Sequence, residues 1–282
     1  MLFPKFKNFK KPSAIPGFGI AMGFTIFYLS LIVIIPLSGL LFATAKVGFA
    51  DFIKIAIDRR LLQAYKISFN CSLIATLINA FFGTILSWVL VRYKFFGKKI
   101  LDAVIDLPFA LPTAVAGIAL TALYSTNGWI GKYFNDFGIK IAFTPLGIII
   151  ALTFIGLPFV VRTVQPILED LEKDVEEAAT SLGANRLQIF TRIILPHIFP
   201  ALITGCAMAF VRALGEYGSV IFIAGNMPYF SELVPLMIMI KLEQYDYASA
   251  NTIAVVMLTI SFFSLFVINH LQRWSYNKIN SK

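Results

Sequence analysis

Charge is what this sequence has least of. Only 14% of its 282 residues are Asp, Glu, Lys or Arg, where an average soluble domain carries about a quarter, so a surface wetted on all sides is excluded. Cysteine occurs twice and histidine twice. Cys71 and Cys206 each lie inside an apolar run, which argues against a disulfide framework and makes them packing residues. His197 and His270 stand singly at the ends of apolar runs, and a lone histidine at each place predicts no metal site. The phosphate-cradling pattern G-x-x-x-x-G-K-[ST] is missing, since Gly97-Lys98-Lys99 has neither the upstream glycine nor the hydroxyl. Missing too is an intramembrane Ser/His or Asp/Asp constellation, so no chemistry on a substrate is expected. No cleavable leader is read: the basic stretch 1–11 precedes an apolar run that continues to about residue 45 without a small-residue cleavage site.

What is present is apolar length. Hydrophobic residues make up 58% of the chain, and the mean hydropathy is +0.80. A crossing of the bilayer needs roughly 20 such residues; runs of that kind stand at 15–44, 65–91, 101–124, 144–164, 198–224 and 248–269. The fold class read from them is all-α, a polytopic membrane protein with six transmembrane helices, because a lone strand in lipid leaves its backbone groups unpaired. Lys and Arg are retained on the cytoplasmic side. With the N-terminus inside, the inner segments hold Lys5, Lys7, Lys10, Lys11, then Arg92, Lys94, Lys98, Lys99, then Arg162, Lys173, Arg186, Arg192, then Arg273, Lys278, Lys282. The outer ones hold fewer, and Arg212 lies within a span. Both termini are therefore expected in the cytoplasm. Threading and anionic lipid account for the net charge of +9 without a nucleic-acid partner. The organisation expected is a basic cytoplasmic arm (1–14), one transmembrane unit (15–274) and a cytoplasmic tail (275–282).

The longest polar stretch, 165–196, reads as two short helices. Asp174, Glu176 and Glu177 put negative charge at the start of a helix that continues through Ala178, Ala179 and Leu182, and Gly183 suits the left-handed residue that ends it. Asn185 caps a second helix from Arg186 to Leu195, which Pro196 closes. The product is a knob projecting from the membrane. Small side chains at Ala178 and Ala179 admit a close partner surface, Glu177 can accept from its donors, and Gly183 fixes the angle between the helices.

Glu177, Ala178 and Ala179, with Gly183 and then Ile193, Leu195 and Pro196, resemble the EAA loop of bacterial ABC import permeases: E-A-A, three residues, G, nine residues, I, one residue, L-P. The resemblance implies a type I ABC importer permease fold. It also implies that the knob seats in a groove of a separate ATP-binding subunit and carries its closing motion into the membrane. No cofactor would then be bound by this chain, ATP and Mg belonging to the partner.

The stretch 210–225, with Arg212, Gly215, Glu216, Tyr217 and Gly218, is similar to the signature of sulfate and molybdate permeases. Residues 107–117, 220–228 and 240–248 resemble the sulfate/thiosulfate branch in particular, and the likeness runs from about 101 to 274. It implies an ATP-driven importer of sulfate or thiosulfate. This chain would pair with a CysW-type second permease subunit, two CysA-type ATPase subunits and a soluble sulfate/thiosulfate-binding protein, in a bacterial plasma (inner) membrane or the plastid envelope of an alga. A molybdate or tungstate permease is the alternative within the class, with 226–228 and 244–247 against it. A proton-coupled secondary carrier, needing no ATPase, is the alternative outside it.

Arg212 and Glu216 are four residues apart, on one face of a helix, where they can pair. Arg212 lies roughly 24 Å along that helix from Pro196, deep enough that an unpaired charge is costly. Two readings stand: a transient attraction for a divalent anion tuned by Glu216, or a structural pair that fixes packing around Gly215 and Gly218. A carboxylate beside the path would repel sulfate, which favours the second. Gly117, Gly215 and Gly218, with Ser87, Thr113 and Ser219, could line a passage or let helices pack closely, and packing is the preferred reading. Pro108 and Pro112 are expected to kink or break the third span, freeing backbone groups to face the path. The apolar piece 233–240 is too short to cross; a re-entrant or interfacial helix at the outer gate or at the docking surface for the binding protein is expected.

Overall fold

The structure, a computed structural model, describes residues 17–280. The expected arm at 1–14 and the last two residues of the expected tail lie outside the described residues. All regular structure among the described residues is helical. In chain order the helices are α1 (Phe18–Ala45), α2 (Phe49–Ala56), α3 (Arg59–Arg92), α4 (Lys98–Ile105), α5 (Leu107–Ala110), α6 (Thr113–Tyr124) and α7 (Gly131–Asp136). There follow α8 (Pro145–Asp170), α9 (Lys173–Ser181), α10 (Arg186–Leu214), α11 (Val220–Ile223), α12 (Val234–Glu243) and α13 (Tyr247–Asn280).

Five of them, α1, α3, α8, α10 and α13, are long and apolar enough to cross a membrane. The third apolar run, 101–124, is broken as its prolines led one to expect, into α4, α5 and α6. Leu111 is extended, and Pro112 holds ψ at 132° ahead of α6, because a proline lacks the amide donor and pushes the residue before it out of helical geometry.

The expected helix over 198–224 is corrected at both ends. Pro196 does not close the second helix of the knob; α10 runs from Arg186 straight through it. A π-helical turn at Phe190–Ile194 absorbs the proline, with the Leu195 amide reaching back five residues to the Phe190 carbonyl. Widening the turn by one residue makes room for the ring and re-partners the carbonyls it would orphan. At the other end α10 stops at Leu214, and the backbone leaves the helix through Gly215 before α11. The polar connection is correspondingly shorter than 165–196, since α8 continues to Asp170. The last helix in turn passes residue 275, where a tail was expected, and reaches Asn280.

Helices α3, α8 and α10 pack together at the centre of the bundle. Their contact stripes are rich in small residues, which is how helices gain contact where lipid supplies no hydrophobic drive. At Gly205 of α10 a β-carbon would stand 2.8 Å from the Val160 α-carbon of α8. Helix α1 lies on the outside, along α13, with only Thr44 buried. The short α12 packs on α3 and α13 and buries Val234, Leu236 and Met237. Cys71 is buried in the core and Cys206 half-buried, both as free thiols.

Ion pairs fasten the short segments to this core. Arg162 of α8 donates from Nε and Nη2 to the two carboxylate oxygens of Asp106 at 2.8 and 2.6 Å. Its Nη1 donates to Asp102 of α4 at 2.7 Å. At the other end of the bundle Arg60 grips buried Glu232 with two bonds of 2.8 and 2.6 Å, and the Ser68 hydroxyl accepts from the Val234 amide at 3.0 Å.

Candidate functional site

The knob is built by local chemistry. Leu171 and Glu172 are extended, and α9 then begins with Asp174 and Glu176 in its first turn, where the helix dipole favours negative charge. Its end is a Schellman-type closure: Gly183 has φ 87°, its amide bonds to Thr180 at 2.9 Å, and the Ala184 amide reaches the Ala179 carbonyl at 3.0 Å. Glycine meets that left-handed backbone without the penalty a β-carbon brings. Asn185 accepts from the Gln188 amide at 2.9 Å while the Gln188 side chain accepts from the Asn185 amide at 2.8 Å, a capping box that starts α10.

The motif residues divide by face. Ala179, Ile193 and Leu195 are half-buried against the cluster of Leu168, Leu171, Ile189 and Ile194. Glu177 and Ala178 are exposed, as are Gly183 and Pro196. The sequence reading missed two neighbours on the same protrusion: Leu182 is 90% exposed and Leu187 71%. It missed Arg92 as well, at the end of α3, whose Nη2 donates to the Leu171 carbonyl at 3.0 Å and pairs with Glu176. Two bare leucines in a charged connection were visible as letters, but only a three-dimensional placement shows them outward. Arg92 offers no local signal at all.

At the opposite end of α10 a second group converges. Arg212 Nη1 meets Glu216 Oε2 at 2.6 Å across the helix end at Gly215. The other oxygen of Glu216 accepts from the Ser219 amide at 2.9 Å and hydroxyl at 3.0 Å. Glu216 is 1% exposed, whereas the Arg212 side chain is 38% exposed. The pair therefore keeps its negative half inside the protein and turns part of its positive half outward, beside exposed Gly215. Thr113, at the start of α6, lies against Gly218, so the break at Pro112 delivers α6 to the segment holding Glu216. Pro108 sits on α5, which packs on α8 with Phe109 edge-on to Phe159 at 5.1 Å. Ser87 is buried and donates to the Gly83 carbonyl at 2.8 Å. Near Arg60 and Glu232 a cavity of about 660 Å³ opens, lined also by Lys54, Asp58, Tyr229 and Lys241.

The fold as a whole recurs in known proteins. The chain superposes on a subunit of a bacterial alginate ABC transporter with a TM-score of 0.75 at 17% identity, covering 91% of this chain and 93% of that one. It superposes on a chain of the MetNI methionine ABC transporter with a TM-score of 0.55 at 17% identity, covering 77% and 94%. In sequence it is 48% identical over 256 residues to the "Sulfate transport system permease protein CysT" of Synechocystis sp., covering 91% of this chain and 90% of the relative. The protein of the same name from Salmonella typhimurium is 45% identical over 258 residues, covering 92% and 93%. The "Probable sulfate transport system permease protein cysT" of Chlorokybus atmophyticus is 50% identical over 248 residues, covering 88% and 87%. The family profile described as "Binding-protein-dependent transport system inner membrane component" matches residues 79–281, a stretch that takes in the knob, α10 and the Arg212 group, and the chain belongs to that family of ABC importer permeases.

Proposed function

We propose that this permease carries sulfate or thiosulfate inward, driven by ATP that separate subunits hydrolyse. The names of its relatives support the substrate. In this reading the broken segment α4 to α6 supplies a sixth crossing and both chain ends lie in the cytoplasm. The knob then faces a CysA-type ATPase, one of two copies that bind ATP and Mg. A CysW-type second permease subunit completes the membrane unit, in a bacterial inner membrane or a plastid envelope. A soluble binding protein delivers the anion at the far end, where the cavity beside Arg60 and Glu232 offers a docking surface.

One observation carries the coupling role: Leu182 and Leu187 stand bare on the knob, among Asp174, Glu177 and Arg186. Leaving two leucines in water forfeits about 1.5–3 kcal/mol each relative to burial, and a partner groove removes that cost. Closure of the ATPase pair would press the knob, rock the spans from inward-open to outward-open, and let the binding protein release its anion. The path then runs past Arg212, Gly215, Glu216, Gly218 and Thr113, with Pro108 and Pro112 opening the backbone of the segment beside it.

The double substitution Leu182→Glu/Leu187→Glu tests the coupling role. It should abolish co-purification of the ATPase subunits and anion-stimulated hydrolysis; retention of both would overturn the reading. Uptake of labelled sulfate into vesicles holding the whole complex tests the substrate. Excess thiosulfate should suppress it, and equal suppression by molybdate would move the assignment to the molybdate branch.

A further inference from the structure

Arg92 closes α3, and nothing in the motif of the knob points to it. Its side chain is only 10% exposed, and that of its partner Glu176 is 23% exposed. The guanidinium bridges three elements. It belongs to the last turn of α3, where a cation is favoured by the helix dipole. It donates to the carbonyl of Leu171, the residue that ends α8. It pairs with Glu176 in the first turn of α9. Successive helical residues point about 100° apart, so Glu176 can be held against α3 while its neighbour Glu177 remains exposed.

We propose that Arg92 is a positioning residue for energy coupling: it locks the Glu176 face of α9 to the ends of α3 and α8, so that force on the knob moves all three as one body. The proposal rests on the reading of the knob as the ATPase contact. Without the lock, the knob is held to the bundle by the extended link of Leu171 and Glu172, by the left-handed joint at Gly183 and by the apolar packing of Ala179 and Ala184. Force then reaches α10 through the joint but loses its direct route to α3, the helix that packs against both α8 and α10. Both contacts converge on the single nitrogen Nη2, so any change that moves this atom loosens α8 and α9 together.

The test uses the assembled complex with its binding protein in lipid nanodiscs, comparing Arg92→Gln, Glu176→Gln and the exchanged pair Arg92→Glu/Glu176→Arg. Co-purification of the ATPase subunits should persist in all three. Sulfate-stimulated ATP hydrolysis should fall at least about fivefold in each single variant, the lower end of typical coupling factors, and stay low in the exchanged pair, where a carboxylate at 92 cannot donate to the Leu171 carbonyl. Spin labels at positions 94 and 173 should give one narrow distance through the ATP cycle in the wild type and a broad distribution in the single variants. Normal stimulation, or a distance that stays narrow, in Glu176→Gln would overturn the proposal even if Arg92→Gln fails to accumulate. Failure of the wild-type chain to retain ATPase subunits would instead bring down the coupling reading, and the proposal with it.

Discussion

A β-carbon on Gly117 would stand 2.7 Å from the α-carbon of Ser219, closer than real side chains approach a backbone. Gly117 is buried, and its contact seats α6 on the segment whose Ser219 amide and hydroxyl hold Glu216. Between the two readings open for Gly117, this contact selects packing. Gly117→Ala should therefore cost about 1–3 kcal/mol through overpacking, seen as a lower temperature at which the detergent-purified protein loses its monodisperse peak. An unchanged profile would show that α6 can shift away at no cost.

Removing Arg212 alone should be worse than removing the pair. Glu216 is 1% exposed, and stripping the partner from a buried carboxylate costs roughly 3–5 kcal/mol; the partial exposure of Arg212 places this site toward the lower end. Arg212→Gln is expected to reduce purified yield and heat stability, and Arg212→Gln/Glu216→Gln to restore much of both, since Ser219 can still bond a neutral amide. A double variant no better than the single one would show that the carboxylate is not what suffers.

Arg162→Lys should detach α4 without unfolding the bundle. The fork now spans Asp106, the Asp102 side chain and carbonyl, and Gln165 at 2.6 to 3.0 Å. A lysine ammonium is a point charge that cannot reproduce the two parallel bonds to Asp106. The side chains of the network are 30 to 47% exposed, so the loss should be modest, about 1 kcal/mol. Hydrogen exchange over 98–110 should quicken while exchange over the centre of α8 stays slow; equal rates in both proteins would contradict this.

Asp246 gives a pH dependence whose sign can be fixed. The Ser249 hydroxyl foremost holds its carboxyl below the usual carboxylate range; burial opposes it, and the Ser249 amide and then the Lys241 ammonium add further lowering. Its stabilising effect is therefore complete above the ordinary carboxylate pKa and is lost as pH falls through the depressed one. The Ser249 amide bond, 3.1 Å long, caps α13. Asp246→Ala should cost about 1 kcal/mol at neutral pH, and the gap between the two melting temperatures should narrow toward pH 3. A gap independent of pH would mean that the carboxylate charge is irrelevant there.

Features made by neighbouring residues were legible in the sequence. The acidic first turn, the Gly183 closure and the Asn185 cap each depend on contacts within about five residues, and the structure places all three where the letters put them. The long apolar helices were legible because length and hydropathy suffice. The stop of α10 at Leu214 was not: Val220–Ile223 is as apolar as the helix before it, and hydropathy does not register a backbone leaving through Gly215. Helix α2 was passed over because a search for long runs ignores eight residues carrying Asp51 and Lys54. Among the described residues, π-helical turns at Ser30–Ile34 and Phe190–Ile194 each end two residues ahead of a proline, but Pro158, Pro166 and Pro200 sit inside helices without one, so a proline alone does not announce such a turn. Arg92 was beyond reach, since 79 residues separate it from Leu171.

The widened turn ahead of Pro196 leaves α10 an unbroken lever of 29 residues, about 43 Å from end to end at 1.5 Å per residue. If it tilts by about 10° around its midpoint, each tip sweeps roughly 4 Å, in opposite senses. On the function proposed above, Arg186 and Arg212 would be the two seats of a see-saw, and a displacement too small to unseat a docked neighbour at one end would be wide enough to shut or clear a passage for an ion at the other.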